Sequence, residues 1–300
     1  MKVAIIGGGI IGAGLGANAA MSGHDTFIYT KFPNENEGID ESLKHILSVF
    51  RENGILSQED SDAAYARAII TNDIEEAVRD AELIQESVVE KLEIKRGMIA
   101  EIEQFCKDDA VIASTTSTLS ATSIQDGAKH PERIMIGHPF NPAYLLPLVE
   151  VCMGEQTEQK YADKAVELYR SIGKEPIVCK LDLPGFIVNR ISRAVLDDAR
   201  QTVLSGACTA EDYDKALMFG PGMRMAVTGQ LLTIDLGTQG GLRNNAIKYN
   251  RPYKPGELEV ADSVDEEIVN RPESIGNNRD DISKWRDHML IEMLKLHGKL

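Results

Sequence analysis

Two ionisable residues of the chain are spaced and flanked as an acid–base pair would be. His138 lies in the run GHPFNP after a predicted strand, and Glu150 follows twelve residues later inside an apolar segment. Imidazole titrates near neutral pH, so a histidine suits a general base that takes a proton from a hydroxyl group. A carboxylate can orient such a ring and stabilise its protonated form. Because an unpaired charge among apolar residues is costly, we expect Glu150 to have a partner, although His138 taken alone would equally suit a hydrogen-bonded core histidine.

A glycine-rich loop near the N-terminus indicates a dinucleotide site. Gly7, Gly9 and Gly12 form the pattern Gly-x-Gly-x-x-Gly between a short apolar strand and an Ala/Gly-rich helix. In such loops the first glycine permits a tight turn, the second lets the backbone approach a pyrophosphate, and the third lets helix and strand pack closely. The helix N-terminus, which here includes Ile10 and Ile11, supplies free N–H groups and a positive dipole end. We therefore expect these five residues to bind the cofactor.

The strand after this loop lacks the acidic residue that usually binds the ribose of NAD. The position about twenty residues beyond the loop falls near Thr30, and Lys31 follows it. Neither side chain chelates ribose hydroxyls or repels a 2′-phosphate, so the cofactor is NAD or NADP with a slight preference for NADP. The alternative for Lys31 is a solvated lysine without a role. An FAD enzyme is a weaker alternative, because FAD chains usually keep the acid at this position.

Alternating short strands and helices predict the fold that positions these groups. Strand-like apolar runs occur at 2–6, 25–29, 68–71, 83–86, 110–113, 133–137, 146–151 and 175–179. Helical stretches lie between most of them, at 11–22, 39–53 and 58–68 among others. This alternation predicts an α/β fold with a Rossmann-type doubly wound sheet.

Helical character dominates the chain after Pro184. Periodic apolar residues predict helices over 188–204, 210–218 and 282–299. We therefore expect a dinucleotide-binding domain over 1–183 and an all-helical C-terminal domain over 184–300, with the boundary near Leu183. The segment 244–278 is rich in Asn, Pro, Gly and Glu, and we expect it to be irregular.

Composition argues against several classes of partner. The chain has a net charge of -15, which opposes nucleic acid and anionic membranes because phosphate neutralisation needs clustered Lys and Arg. No apolar run is long enough to span a membrane. The four cysteines are far apart without Cys-x-x-Cys spacing, so neither a metal site nor a disulfide framework is expected. Reduced thiols and the lack of a signal-peptide pattern predict a cytoplasmic protein.

Four motifs together resemble the 3-hydroxyacyl-CoA dehydrogenase family. In the family's order and spacing they are AIIGGGIIGAG at 4–14, STTSTL at 114–119, GHPFNP at 137–142 and PGFIVNR at 184–190. The resemblance extends over essentially the whole chain and is far more specific than the glycine loop alone. It implies a nicotinamide-dependent dehydrogenase that interconverts a small 3-hydroxy compound and its 3-keto form. It also implies a homodimer formed through the C-terminal domain.

The resemblance assigns roles to individual residues as well. His138 would be the general base and Glu150 its carboxylate partner. Ser117 would hydrogen-bond the substrate oxygen. Asn189 would complete that polar cluster, and Asn141 would support the histidine loop on the substrate side. Glu90 and Lys95 would contact the cofactor.

The segment FGPGMRMAVTG at 219–229 resembles one branch of the family, which includes L-gulonate 3-dehydrogenase (lambda-crystallin) and L-carnitine dehydrogenase. This branch oxidises free 3-hydroxy acids, so Arg224 in that segment would pair with a substrate carboxylate. An inter-domain or inter-subunit salt bridge explains Arg224 equally well. Two other functions stay open: a 3-hydroxyacyl-CoA dehydrogenase, although no basic cluster suited to CoA is evident, and a catalytically silent dinucleotide-binding or structural protein.

Overall fold

Eight short segments form one sheet in the computed structural model, which describes residues 1–300. In chain order the strands are β1 (Lys2–Ile6), β2 (Asp25–Tyr29), β3 (Ala68–Thr71), β4 (Leu83–Glu86), β5 (Val111–Ser114), β6 (Ile134–Pro139), β7 (Leu148–Met153) and β8 (Glu175–Cys179). Their spatial order is β3-β2-β1-β4-β5-β6-β7-β8. Strands β1 to β6 are parallel, whereas β7 runs antiparallel to β6 and parallel to β8. The first six strands therefore have the order of a Rossmann-type sheet.

Helices cover both faces of this sheet. They are α1 (Ile10–Met21), α2 (Asn36–Glu52), α3 (Gln58–Arg67), α4 (Ile74–Val78), α5 (Leu92–Ile102), α6 (Ala121–Gln125) and α7 (Gln159–Ser171). Val3 and Ile5 are buried in one core with residues of α1, α2 and α7, while Ala4 and Ile6 are buried in a second core with residues of α4, α5 and α6. Alternate residues of a strand face opposite sides of a sheet. Burial on both sides explains why the strands are apolar along their length.

The chain divides into two compact units, Met1–Ala194 and Val195–Leu300. The division falls inside helix α8 (Val188–Leu204), so the boundary near Leu183 stays a prediction. No helix combines the length and the apolar character needed to cross a membrane.

The second unit is helical. It contains α9 (Ala210–Phe219), α10 (Pro221–Leu236), α11 (Asn245–Lys248), α12 (Glu257–Asn270) and α13 (Arg279–Leu296). Helix α10 is interrupted at Gly229, which has a φ of +68°. A small core joins Leu232, Leu242, Ala261, Val264, Ile268 and Ile282. The predicted fold class, a Rossmann-type sheet followed by a helical C-terminal domain, is confirmed.

The expectation of irregular structure over 244–278 is wrong. This segment contains α11 and the whole of α12. Ala261, Val264 and Ile268 recur at intervals of three and four residues and form the buried stripe of α12. The Asn, Pro and Gly residues concentrate before and after this helix rather than within it. Because the prediction rested on the composition of the whole segment, it did not detect the periodic apolar residues of α12 within it.

Candidate active site

The loop between β1 and α1 has the close geometry of a dinucleotide-binding turn. Gly7 has a φ of +107°, and a Cβ atom there would lie 2.6 Å from the carbonyl oxygen of Ser87. A Cβ atom at Gly12 would lie 1.9 Å from the carbonyl oxygen of Gly7, so both positions exclude a side chain. Gly9 precedes α1 and faces open space, with no atom within 4 Å of where its Cβ would stand. The first N–H groups of α1, from Ile10 onward, have no partner within the helix and are available to an anion.

A cavity of about 920 Å³ opens beside this loop. Its lining includes the glycine loop, the end of β2 and one side of α5, with apolar surface from Tyr29, Ile94 and Met98. The hydroxyl of Ser87 in this lining is buried without a hydrogen-bond partner, as is typical of a group that a ligand completes. Size, apolar wall and free donors fit a nicotinamide dinucleotide. Of the residues predicted to bind the cofactor, Gly7, Gly9, Thr30 and Lys31 line the cavity, and Ile10, Ile11 and Gly12 form the first turn of α1.

The end of β2 has an acidic neighbour that the sequence pattern did not reveal. Thr30 is buried, and its hydroxyl donates a 2.5 Å hydrogen bond to Oε2 of Glu35. Glu35 ends a short 3₁₀ turn (Pro33–Glu35) and lines the same cavity as Lys31. Because this turn folds the chain back towards β2, a residue five positions further along reaches the strand end. The usual spacing rule places the ribose-binding acid at the end of the strand itself, so it does not identify Glu35.

The predicted acid–base pair is formed across two neighbouring strands. His138 of β6 is the register partner of Glu150 of β7, and its Nδ1 lies 2.7 Å from Oε2 of Glu150. Both side chains are buried. The carboxylate can only accept a hydrogen bond, so Nδ1 of His138 carries a hydrogen and its N–H donates the hydrogen bond to Oε2 of Glu150. In the tautomer that this hydrogen bond selects, Nε2 of the neutral imidazole carries no hydrogen and can act as a base.

The second oxygen of Glu150 is also used. Its Oε1 accepts hydrogen bonds from the backbone N–H groups of Ile187 at 2.8 Å and Val188 at 3.0 Å, where α8 begins. Burial alone would raise the pKa of Glu150, but the hydrogen bonds from His138, Val188 and Ile187 outweigh it and hold the pKa below its ordinary value. Glu150 is therefore a carboxylate near neutral pH, oriented by groups on both sides.

Phe186 forms an apolar wall against the imidazole, a contact that sequence reasoning missed. Its ring centroid lies 5.4 Å from that of His138, and the two planes are tilted by 51°. Phe186 is buried and has a φ of 49°, a conformation that bulky residues rarely adopt. Phe186 lies in the motif PGFIVNR, from which the sequence predicted a role only for Asn189. Such strained positions often occur at functional sites, where the surroundings enforce them.

Glu90 holds the loop that carries Ser117. Its Oε1 accepts hydrogen bonds from the N–H groups of Ser117 at 3.0 Å and Thr118 at 3.2 Å, and from the hydroxyls of Thr116 at 2.5 Å and Thr118 at 3.0 Å. Burial would raise the pKa of Glu90, but these hydrogen bonds and the charge of Lys95 lower it overall. The loop backbone, and with it the position of Ser117, thus depends on a carboxylate from the loop after β4.

The remaining predicted residues differ in where they lie. The side-chain amide of Asn189 donates a 3.1 Å hydrogen bond to the carbonyl oxygen of Ser117, so these two residues are brought together. Asn141 is exposed in the turn after β6 and makes no side-chain hydrogen bond to the other site residues. Arg224 lies exposed on α10 of the second unit and forms no ion pair there.

Lys95 belongs to a buried ionic cluster beneath the site. Its Nζ lies 3.0 Å and 3.2 Å from the two carboxylate oxygens of Glu86, and both side chains have no exposed surface. The same Nζ donates to the carbonyl oxygen of Val88 at 3.1 Å and lies 3.5 Å from Oε2 of Glu90. The hydroxyl of Ser114 donates to Glu86. Each charge is therefore compensated only as long as its partner is present.

We expect Lys95→Met to lower the free energy of unfolding by about 3–5 kcal/mol, because it leaves Glu86 ionised and unpaired in the core. Urea denaturation followed by circular dichroism measures the loss. The matched control is Lys91→Met, at an exposed lysine one turn earlier, with an expected change within about 0.5 kcal/mol. A double variant, Glu86→Gln with Lys95→Met, is expected to regain part of the loss. Equal stability of the two single variants would contradict this account.

Comparison with known proteins identifies the class. The NAD-binding domain of 3-hydroxyacyl-CoA dehydrogenases matches residues 2–182, and the C-terminal domain of 3-hydroxyacyl-CoA dehydrogenases matches residues 185–277. The chain belongs to the 3-hydroxyacyl-CoA dehydrogenase family. Together with the dinucleotide loop, this membership makes it a nicotinamide-dependent oxidoreductase that acts on a CH–OH group, as the motifs predicted.

The chain is similar to proteins named L-carnitine dehydrogenase over nearly its whole length. It is 33% identical to L-carnitine dehydrogenase of Oceanobacillus iheyensis, over 98% of this chain and 97% of that protein. L-carnitine dehydrogenase of a Pseudomonas species is 32% identical, over 98% of this chain and 93% of that protein. The predicted resemblance to the branch that includes L-carnitine dehydrogenase is thereby confirmed.

Two solved structures show the same fold. The structure of 3-hydroxybutyryl-CoA dehydrogenase from Escherichia coli K12 superposes with a TM-score of 0.69 at 32% identity, covering 79% of this chain. The chain spans about half of that longer protein, 49% of its length. The structure of FHMPC 5-dehydrogenase, an NAD⁺-dependent dismutase, superposes with a TM-score of 0.73 at 27% identity, covering 100% of this chain and 99% of the other.

Proposed function

We propose that the chain interconverts a free L-3-hydroxy acid and its 3-keto form, with His138 as the general base. The observation that carries this proposal is the buried 2.7 Å contact between Nδ1 of His138 and Glu150, which leaves Nε2 free to accept the hydroxyl proton. Glu150 orients the ring and stabilises the imidazolium that forms. The nicotinamide, when bound, supplies the acceptor or donor of hydride.

The other polar residues assist at the substrate oxygen. The hydroxyl of Ser117 donates a hydrogen bond to the substrate oxygen that changes between hydroxyl and carbonyl. Asn189 holds the Ser117 carbonyl at 3.1 Å, and Glu90 holds the Ser117 N–H at 3.0 Å, so the loop is fixed from two sides. Asn141 follows the histidine strand and supports substrate binding there. A donor held in place before the reaction stabilises a developing charge without reorganisation.

A free acid is favoured over a CoA thioester as substrate. The similar proteins named L-carnitine dehydrogenase cover nearly the whole chain. Arg224, exposed and without an ion pair in its unit, is available for a substrate carboxylate. The second candidate is a 3-hydroxyacyl-CoA substrate, which two observations favour: the likeness to 3-hydroxybutyryl-CoA dehydrogenase, and a cavity of about 540 Å³ lined by Lys44, His45 and Arg51. Lys44 is, however, already paired with Asp40 at 2.6 Å.

A panel of substrates tests this choice. L-carnitine, L-3-hydroxybutyrate and L-3-hydroxybutyryl-CoA are compared as kcat/KM with NAD⁺. The kcat/KM of at least one free acid is expected to exceed that of the thioester by about tenfold or more. A tenfold ratio is about 1.4 kcal/mol, which one additional charged hydrogen bond can supply. Arg224→Gln is expected to raise KM for the free acids, whereas Arg200→Gln, an exposed arginine of the same unit, leaves it unchanged. Clear preference for the thioester would establish the second candidate instead.

The assembly and compartment are also proposals. Large apolar side chains are exposed on helices of the second unit, which supports a homodimer formed through this unit; they include Met218, Phe219, Leu231, Ile291 and Leu296. The four free cysteines support a reducing, cytoplasmic compartment.

A further inference from the structure

The ribose end of the cofactor cavity contains a carboxylate at an unusual position in the chain. The acid normally expected at the end of the second strand is replaced by Thr30. Glu35, five residues further on, lines the cavity and accepts the Thr30 hydroxyl hydrogen bond on Oε2. Its Oε1 has no protein partner. The Thr30 oxygen in turn accepts the N–H of Phe32 at 3.2 Å, so the turn and its carboxylate are held to the end of β2.

We infer that Glu35 takes the place of the missing acid and makes this site selective for NAD over NADP. The inference rests on nicotinamide dinucleotide binding at the glycine loop. Hydroxyl groups of a ribose are donors, and Oε1 of Glu35 is a free acceptor at the cavity lining. A 2′-phosphate carries negative charge and would meet this carboxylate instead.

The charges around the cavity favour the same outcome. Its lining contains three carboxylates, Glu35, Glu93 and Glu101, and one cation, Lys31. Glu35 is anchored by Thr30, whereas Lys31 is exposed and forms no ion pair or side-chain hydrogen bond with the protein. An exposed lysine without a protein partner, among three acids, gives a weak phosphate site. The preference inferred here is opposite to the slight NADP preference expected from Thr30 and Lys31 alone.

Equilibrium binding tests this role without relying on turnover. NADH and NADPH are titrated by nicotinamide fluorescence, and ADP-ribose and 2′-phospho-ADP-ribose by calorimetry. The wild-type chain is expected to bind NADH at least about tenfold more tightly than NADPH. Glu35→Gln is expected to reduce this ratio about tenfold, through weaker NADH and tighter NADPH binding. The ADP-ribose pair is expected to follow the same order, because it contains the ribose but no nicotinamide.

Two further variants make the test specific. Glu37→Gln removes a nearby exposed carboxylate that does not line the cavity, and it is expected to leave the ratio unchanged. Thr30→Val removes the hydroxyl that anchors Glu35 and is expected to reduce the ratio by less than Glu35→Gln does. Both variants are checked by circular dichroism for an unchanged fold.

The outcomes separate this inference from the function on which it rests. NADPH binding as tight as NADH binding in the wild-type chain would overturn it, as would an unchanged ratio in Glu35→Gln. Lys31→Ala gives a further check. If this variant loses more affinity for NADPH than Glu35→Gln loses for NADH, Lys31 determines the selectivity and the inference about Glu35 is overturned. If the wild-type chain binds neither dinucleotide, the cofactor site itself fails together with the inference.

Discussion

Replacing His138 with glutamine is expected to lower kcat by about 10²- to 10⁴-fold, the range that a positioned general base contributes. Glutamine fills a similar volume, and its amide can still hydrogen-bond Glu150, so the fold and the dinucleotide cavity are expected to persist. The amide nitrogen, however, cannot accept a proton near neutral pH. Steady-state turnover of the best substrate, with NADH binding measured in parallel, shows whether the chemical step alone is lost.

The control for this variant is another histidine of the same unit. His130 is partly exposed and contacts Glu132 at 3.3 Å, away from the His138–Glu150 pair. His130→Gln is expected to retain turnover within about twofold, as is usual for surface substitutions. A chain with His138→Gln that turns over at the wild-type rate would refute the proposed base. A wild-type chain without turnover would instead favour the alternative of a catalytically silent dinucleotide-binding protein.

The second large effect is expected at Glu150. Both carboxylate oxygens accept hydrogen bonds, one from Nδ1 of His138 and the other from the N–H groups of Ile187 and Val188. A glutamine has one oxygen, so its NH₂ group must face either the ring or the two backbone donors. Facing the ring, it requires Nδ1 to accept, which places the ring proton on Nε2 and removes the base. An amide in place of such a carboxylate lowers kcat about 10⁴-fold in serine proteases, and we expect a loss of about 10²- to 10⁴-fold for Glu150→Gln.

Glu150 also gives the stability of the chain a defined pH dependence. Burial would raise its pKa, but the hydrogen bonds from His138, Val188 and Ile187 lower the pKa overall in the folded state. A carboxyl with a lowered folded pKa contributes stability above its unfolded pKa of about 4.3, and this contribution is lost as pH falls through the folded value. The unfolding free energies of wild type and Glu150→Gln are therefore expected to differ most near neutral pH and to converge below about pH 4.

Urea denaturation at several pH values measures this convergence. Glu155→Gln, an exposed site shortly after β7, serves as the matched control and is expected to follow the wild type at every pH. A constant difference between wild type and Glu150→Gln down to acid pH would show that the carboxylate does not titrate as described. Unchanged turnover in Glu150→Gln would separately remove its proposed role in orienting His138.

Much of the fold was predictable because local patterns and tertiary packing agree. All eight strands were expected from short apolar runs, and their ends agree with the structure to within two residues. Parallel strands that are buried on both faces consist of continuous apolar residues, so the sequence indicates them clearly. Helix α12 was missed for the opposite reason, because its buried residues are only Ala261, Val264 and Ile268 among many acidic ones. A buried stripe of only three residues gives a weak periodic signal.

The candidate site was predictable only where residues meet through regular pairing. His138 and Glu150 face each other because β6 and β7 form an antiparallel pair, and both strands were visible in the sequence. Glu35 reaches β2 through a 3₁₀ turn, and Glu90 gathers donors from a loop in a neighbouring βα connection. Such contacts depend on loop conformations, which side-chain periodicity does not encode.

The three glycines of the loop are not interchangeable as sites for altering the protein. Side chains at positions 7 and 12 would collide with backbone atoms, so changes there would damage the sheet–helix junction and confound any loss of cofactor. Position 9 borders open space and has an extended backbone that every residue tolerates. A side chain added at Gly9 would occupy solvent next to the first turn of α1 and displace nothing of the protein. This position therefore offers a way to obtain a folded, cofactor-free form of the chain as a reference for every binding measurement.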